Sequence, residues 1–239
     1  SYYGPKMYNA GQKSLFVNYI YQSIFGTNPS QMYSAGLSFN YDKYDEDFHD
    51  PVFNYGEDIS TDFINMKREE RVPGAFFQYT GEFLDQRFIV MAGLRYDYHN
   101  IFGSIWTPRA HIMYKPDEFT SIKATFGRGL RTPNILAENS YLLASAANFY
   151  VNGELLGKNP ALLDDLKMED SWNFGANVNR KFEVFGRTLN INLDYYHTKF
   201  NDQVVVDNET AYNKVNFYNL DGDSYSNCYQ IEVKYELIP

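Results

Sequence analysis

The sequence predicts an all-β protein: an antiparallel up-and-down sheet of about nine strands, of the kind that forms part of a transmembrane β-barrel. Three observations predict this fold class, namely strict residue alternation, long strands, and connections sorted by length. In RFIVMAGLRYDYH, residues 87–99, one alternate set is wholly apolar or aromatic, whereas the other contains Arg95, Asp97 and His99. Alternation with a period of two is the pattern of a β-strand with two unlike faces.

The same alternation recurs along the chain. The predicted strands are about ten residues long or longer, whereas strands in soluble proteins average ~5–6 residues. A tilted strand needs ~9–11 residues to cross a bilayer. The further alternating segments are residues 14–22, 32–42, 72–83, 106–115, 120–127, 171–179, 188–196 and 225–237.

The connections alternate between short and long. Tight turns are predicted at 25–30, 85–86, 116–119 and 183–186, and long connections at 43–70, 131–168 and 200–214. The connection at 100–105 is the short exception, and a short helix is predicted near 134–145. Short turns at one edge and long loops at the other are typical of outer-membrane barrels.

Composition excludes several classes of protein. The net charge of −9 argues against a nucleic-acid partner, which prefers a basic surface. The single cysteine, Cys228, excludes an internal disulfide framework and a cysteine-rich zinc site. Mean hydropathy is −0.48, and no apolar run approaches the ~20 residues of a membrane helix. The start, SYYGPKMYNAG, does not have the pattern of a signal peptide, so the chain is expected to be a processed or internal segment.

The two faces of the predicted sheet differ in the way expected of a barrel wall. One face carries aliphatic or small residues in mid-strand and aromatic residues toward the strand ends, as lipid-facing surfaces do. The other is rich in Asn, Ser, Thr and Gly, which suits a wet lumen. Expected to face lipid are Leu37, Phe39, Phe77, Leu94, Phe126, Trp172, Phe174, Leu193 and Val233. Candidates to face the lumen and a ligand are Arg95, Asp97, His99, Arg109, Asn173, Asp194 and Tyr196.

Other groups of residues give weaker evidence of a functional site. The acidic stretch YDKYDEDFHD, residues 41–50, is read as a solvated loop rather than a cation site, because it lacks the glycine and spacing of an EF-hand. Asp97 and Arg109 are expected to form an ion pair in the lumen. The loops at 134–160 and 200–220 are further ligand candidates, since Tyr and Asn side chains offer stacking and adaptable hydrogen bonds. No catalytic arrangement, metal site or cofactor site is predicted.

An ordered series of motifs resembles the barrel of TonB-dependent outer-membrane receptors, most closely the Bacteroidetes type. TPRAHIMYKPDEFTSIKAT, residues 107–125, leads into FGRGLRTPNILAEN, residues 126–139. LKMEDSWNFGANV, residues 166–178, and YYHTKFNDQVVVD, residues 195–207, follow in the family's order. The closing stretch NLDGDSYSNCYQIEVKYELIP also follows the pattern, so the resemblance runs from Arg71 onward. Lys167-Met168-Glu169 stands where the family often has Lys-Pro-Glu.

The resemblance implies that residues 1–239 are one barrel segment in a bacterial outer membrane, supplying about nine of the family's 22 strands. It implies a receptor, not an enzyme, that imports a scarce nutrient such as a siderophore, haem or cobalamin. The implied partners are the nutrient, lipid, lipopolysaccharide, and the TonB complex acting through a plug domain. No plug or TonB box is recognised, so an internal barrel fragment is expected. The alternatives are a plug-less porin-like channel and a soluble β-sandwich ligand-binding module.

Overall fold

A computed structural model describes residues 2–3, 6–49, 64–145, 147–156, 163, 165–211 and 213–235. Within those ranges all the predicted strands are present, so the all-β prediction is confirmed. The first three long strands are β2 (Lys6–Phe25), β3 (Asn28–His49) and β4 (Ile64–Phe83), and the two-residue β1 (Tyr2–Tyr3) pairs with β2. The next are β5 (Phe88–His99), β6 (Gly103–Tyr114) and β7 (Thr120–Arg131). The last are β10 (Glu169–Val184), β11 (Arg187–Asn201) and β14 (Ser224–Tyr235).

These strands form one antiparallel sheet in the order β1-β2-β3-β4-β5-β6-β7-β10-β11-β14. Strands that are neighbours in this sheet are also consecutive in the chain, except that short strands of a second sheet intervene between β7 and β10 and between β11 and β14. The register between β10 and β11 runs without interruption from Asp170 opposite Asn201 to Val184 opposite Arg187. The up-and-down topology predicted from the sequence is therefore confirmed, and the sheet is the open wall of a barrel.

The predicted loop at 43–70 is partly wrong, because β3 continues to His49 and β4 already begins at Ile64. Polar pairs hold the two extensions together across the strands. Lys43 Nζ lies 3.4 Å from Glu69 Oε1, and Asn65 Nδ2 donates to Asp47 Oδ1 at 2.6 Å. The acidic stretch is thus mostly strand and not loop, and Asp50 lies outside the described residues.

The two longest connections fold together into a small unit, here called the cap. It contains a four-stranded sheet in the order β12 (Val204–Asp207), β13 (Lys214–Asn219), β8 (Asn148–Val151) and β9 (Glu154–Leu155). It also contains α1 (Ile135–Glu138) and a 3-10 helix (Ser140–Ala144), which confirm the helix predicted near 134–145. The pairing of β8 with β13 is parallel and joins two connections that are far apart in sequence.

The buried apolar core lies in the cap and against the adjacent ends of β2, β3 and β4. Phe149, Val151, Leu156 and Phe217 are among its most deeply buried members. The cap rests on the far ends of β2 and β3. The rings of Phe48 and Phe149 stack at 5.6 Å. No helix in the described part of the chain is long and apolar enough to cross a membrane.

Candidate functional site

The strand register sorts the predicted site residues onto two faces, because directly opposite residues of neighbouring strands share a face. One row crosses five strands through Ala92, Ala110, Phe126, Phe174 and His197. The apolar face is the one that carries this row and the nine residues expected to face lipid: Leu37, Phe39, Phe77, Leu94, Phe126, Trp172, Phe174, Leu193 and Val233. The polar face carries the seven lumen candidates: Arg95, Asp97, His99, Arg109, Asn173, Asp194 and Tyr196.

The apolar face is exposed, whereas several polar residues of the other face are buried, which is unlike a soluble protein. On the apolar face Leu37 is 63% exposed and Val233 is 60% exposed. On the polar face Ser38 is 7% exposed and His99 is 3% exposed. A soluble sandwich would bury its apolar face beneath a second sheet. Within the described ranges nothing covers this face, which argues against the sandwich alternative.

Two bands of aromatic side chains border the apolar face. Near the short turns, Phe25 lies 4.8 Å from Tyr33 between ring centroids, and Phe83 lies 6.2 Å from Phe88. Near the cap the pairs are Tyr96 with Trp106, Phe126 with Trp172, and Tyr195 with Tyr229, at 4.6, 5.3 and 5.0 Å. Paired aromatic bands around an apolar belt are the pattern of a transmembrane β-barrel.

A charged cluster occupies the polar face of β5. The Arg95 guanidinium donates to both carboxylate oxygens of Asp97, at 2.7 and 2.6 Å, and its Nη2 donates to Ser38 Oγ at 2.6 Å. Gly74 lies directly beneath the pair. A Cβ there would overlap the Asp97 carboxylate and would lie 2.8 Å from Arg95 Nη2. The absence of a side chain at Gly74 therefore makes room for the ion pair.

A second charged group lies one step closer to the cap. His99 Nε2 is 3.5 Å from Glu70 Oε2, and Arg68 Nε is 2.9 Å from Glu70 Oε1. The Arg68 guanidinium lies 4.8 Å above the ring of Tyr44. The sequence reasoning missed Glu70 and Arg68 because it placed both in a loop. The alternation of β4, extended back to residue 64, would have placed them beside His99.

A concave region of about 610 Å³ on the polar face is lined by Arg95, Asp97, His99, Glu70 and Arg109, together with residues at the root of the cap. The expected ion pair between Asp97 and Arg109 is wrong, because Asp97 pairs with Arg95 instead. Arg109 lies opposite Gly93, four residues along the strand from Asp97. That separation is ~14 Å at the usual rise per residue, too far for a direct contact. Within the described part of the chain, Arg109 has no hydrogen-bond or ion-pair partner.

The remaining candidates lie on the polar face of β10 and β11. Asp194 accepts hydrogen bonds from Asn177 at 2.6 Å and from Asn192 at 2.5 Å, beside a concave region of about 360 Å³ that Lys123 also lines. The ring of Tyr196 lies over Gly175, where an added Cβ would be 2.8 Å from Cε1.

Asn173 lines neither of these two concave regions and accepts a hydrogen bond from Thr198 at 2.8 Å. No group of three or more His, Cys, Asp or Glu within the described ranges could hold a metal ion.

The cap is fastened above the upper concave region by buried polar contacts. Glu46 Oε1 accepts from Tyr8 Oη at 2.9 Å and from Asn134 Nδ2 at 2.7 Å, which joins β2, β3 and the cap. Burial raises the pKa of the Tyr8 phenol, and the nearby Glu46 carboxylate raises it further. Lys6 is fully buried and donates to the Ser145 carbonyl oxygen at 2.9 Å.

The fold and the two faces together define the wall of an outer-membrane β-barrel. The model of the TonB dependent receptor-like β-barrel family matches residues 1–236, so the chain belongs to that family, whose members are receptors of the bacterial outer membrane and not enzymes.

Among curated proteins, the chain is 26% identical over 157 residues to a probable TonB-dependent siderophore receptor, PirA of Acinetobacter baumannii. The alignment covers 63% of this chain and 19% of PirA. The solved structure of PirA from that organism has a TM-score of 0.66 at 17% identity, covering 95% of this chain and 35% of that chain. The structure of a mutant of PfeA, the ferric enterobactin receptor of Pseudomonas aeruginosa, also has a TM-score of 0.66. It is 16% identical, and the match covers 94% of this chain and 33% of that chain. These structural likenesses show the fold alone. The chain spans about a third of the solved receptors it matches and a fifth of the curated relative.

Proposed function

We propose that this chain is the ligand-contacting part of a receptor wall that imports a scarce nutrient, with a ferric siderophore as the favoured class of ligand. The nutrient binds on the polar face, in the concave region beneath the cap. Import then requires energy relayed by the TonB complex through a plug domain. Haem and cobalamin are the alternative classes of ligand.

The observation that carries this proposal is the Arg109 guanidinium at the edge of the concave region, which has no partner among the described residues. Arg95 faces the same space, although Asp97 neutralises part of its charge. A guanidinium presents several N–H donors in a planar fork that suits carboxylate and other anionic oxygens. The volume of about 610 Å³ falls within the range for small-molecule sites. An anionic, oxygen-rich chelate fits both the charge and the size of this region.

The names of the relatives support the same class of ligand. PirA of Acinetobacter baumannii is named a siderophore receptor, and PfeA a ferric enterobactin receptor. The low identities carry no residue-level argument. The choice of a siderophore therefore rests on these names together with the anion-binding chemistry of Arg109 and Arg95.

We assign the apolar face to the bilayer and to lipopolysaccharide, and the polar face to the lumen. The exposed aliphatic residues, bordered by the two aromatic bands, support this assignment. It gives every residue expected to face lipid a position on the outside of the wall, and every lumen candidate a position on the inside.

Binding tests the site directly. In the full-length receptor, Arg109→Ala is expected to raise the Kd for a ferric siderophore by ~10–100-fold, since a charge-assisted hydrogen bond contributes ~1.5–3 kcal/mol. The matched control is Arg180→Ala, which removes the same charge from the apolar face of β10. Equal effects of the two changes, or no effect of Arg109→Ala, would contradict the proposed site.

Uptake of radiolabelled iron separates a gated receptor from a plug-less porin-like channel. Cells that lack TonB should lose uptake through the full-length protein. Uptake that persists without TonB would favour the passive channel, even if the site binds the chelate as proposed.

A further inference from the structure

Large apolar side chains lie exposed at each of the four described turns at the edge of the sheet away from the cap. Phe25 ends β2, Leu84 directly follows β4, Phe119 directly precedes β7, and Phe185 directly follows β10. Leu84 is 69% exposed and Phe185 is 95% exposed. These four residues, one on each of four hairpins, are called the turn-tip collar. Tight turns normally carry Gly, Asn, Asp, Ser or Pro, so the collar needs another explanation.

The backbone at two collar positions makes the choice of residue costly. Phe185 and Gly186 form a two-residue hairpin turn with φ of 52° and 72°, and Leu84 has φ of 54°. The left-handed region disfavours a bulky side chain, and two-residue turns with two positive φ values prefer Asn-Gly.

The cap contains the same turn with the preferred residues. Asn152-Gly153 joins β8 to β9 with φ of 50° and 83°. The chain thus uses the preferred Asn-Gly pair in the cap and a Phe-Gly pair at the opposite edge of the sheet. A contact made by the Phe185 side chain, and not the turn itself, must account for the phenylalanine.

We propose that the turn-tip collar inserts into the headgroup region of the periplasmic phospholipid leaflet and anchors that rim of the barrel at a fixed depth. Short turns lie on the periplasmic side of outer-membrane barrels. Phe25 links the collar to the lower aromatic band, since its ring lies 4.8 Å from that of Tyr33 and 5.9 Å from that of Tyr79. Aromatic and cationic residues collect where acyl chains meet headgroups.

Arg180 lies 5.3 Å above the ring of Phe182 on the same hairpin as Phe185. The proposal rests on the outer-membrane location of the family and not on the identity of the ligand.

Depth-dependent quenching tests the anchor without a partner protein. In the full-length receptor carrying Cys228→Ser, an NBD fluorophore is attached at Phe185→Cys or at Asn152→Cys, which has the same turn geometry at the opposite end. The receptors are reconstituted in phosphatidylcholine vesicles that contain a nitroxide lipid labelled in the headgroup region. Quenching at 185 is expected to exceed quenching at 152 by roughly 3-fold or more, with a blue-shifted emission. Equal, weak quenching at both sites would overturn the lipid anchor and leave a periplasmic protein as the occupant.

A pair of substitutions gives an independent readout. Turn chemistry alone predicts that Phe185→Asn raises the denaturant midpoint of the vesicle-embedded receptor, because Asn-Gly suits the turn. The lipid anchor predicts a lower midpoint. Asn152→Phe places a bulky residue in the same turn geometry away from the periplasmic leaflet. It should lower the midpoint, and the size of the fall measures the cost of phenylalanine in such a turn. A rise for Phe185→Asn as large as the fall for Asn152→Phe would show that Phe185 gains nothing from lipid.

Discussion

Placing an arginine at successive positions along β5 should destabilise the receptor according to face and depth. Ala92 lies on the apolar face, four residues from Phe88 in the lower aromatic band and four from Tyr96 in the upper one. Four residues rise ~14 Å along a strand, or ~10 Å along the membrane normal at a tilt near 40°. Ala92 is thus at mid-bilayer, where an arginine costs ~2–4 kcal/mol. Leu94 lies about halfway from Ala92 to the upper band, and there the cost should fall to ~1–2 kcal/mol.

The matched control is Met91→Arg, one residue away on the polar face. It should change stability by less than ~1 kcal/mol, because a lumen position leaves the guanidinium in water. The assay is denaturant-dependent folding of the full-length receptor into phosphatidylcholine vesicles, followed by intrinsic fluorescence. If Met91→Arg costs as much as Ala92→Arg, or if Leu94→Arg costs more than Ala92→Arg, the assignment of faces and depth is wrong.

Two further perturbations probe the packing of the wall and the cap. Gly175→Val should overlap the Thr125 hydroxyl and the ring of Tyr196 and cost ~1–3 kcal/mol through overpacking. The measured denaturant midpoint should fall, and Tyr196→Ala in the same chain should restore it only in part. The raised pKa of Tyr8 means that the folded cap favours the neutral phenol. Its contribution is therefore full below the ordinary pKa near ~10 and falls as the pH rises toward the folded value. The thermal midpoint of the native receptor should accordingly fall toward that of Tyr8→Phe between about pH 9 and about pH 12, and a constant difference would contradict the assignment.

The strands and their faces were predictable because alternation is a local signal. Leu37 and Ser38 are adjacent in sequence, yet the period of two places them on opposite faces regardless of the rest of the chain. The positions of the short turns follow from the same pattern. The lumen candidates Arg95, Asp97, His99 and Arg109 could be identified for this reason, since each needs only the phase of its own strand.

The cap was not predictable because its structure depends on contacts between distant segments. The parallel pairing of Phe149 with Val215 joins residues from two separate loops, and neither loop shows a long alternating pattern. The partner of Asp97 was missed for a related reason. Opposite charges on neighbouring strands suggested Arg109, but the register, which sequence alone does not fix, places Arg109 four residues away. Glu70 was missed because the strand extends beyond the membrane-crossing length.

The most direct test of the account is the accessibility of adjacent residues in the membrane. Single nitroxide spin labels at Leu37, Ser38, Leu94 and Arg95 of the full-length receptor in vesicles can be exposed to oxygen, which concentrates in lipid, and to a polar nickel chelate. We expect labels at 37 and 94 to collide mainly with oxygen, and those at 38 and 95 to collide mainly with the nickel chelate. Equal oxygen accessibility at all four positions, or the reverse order, would contradict the assignment of the apolar face to lipid.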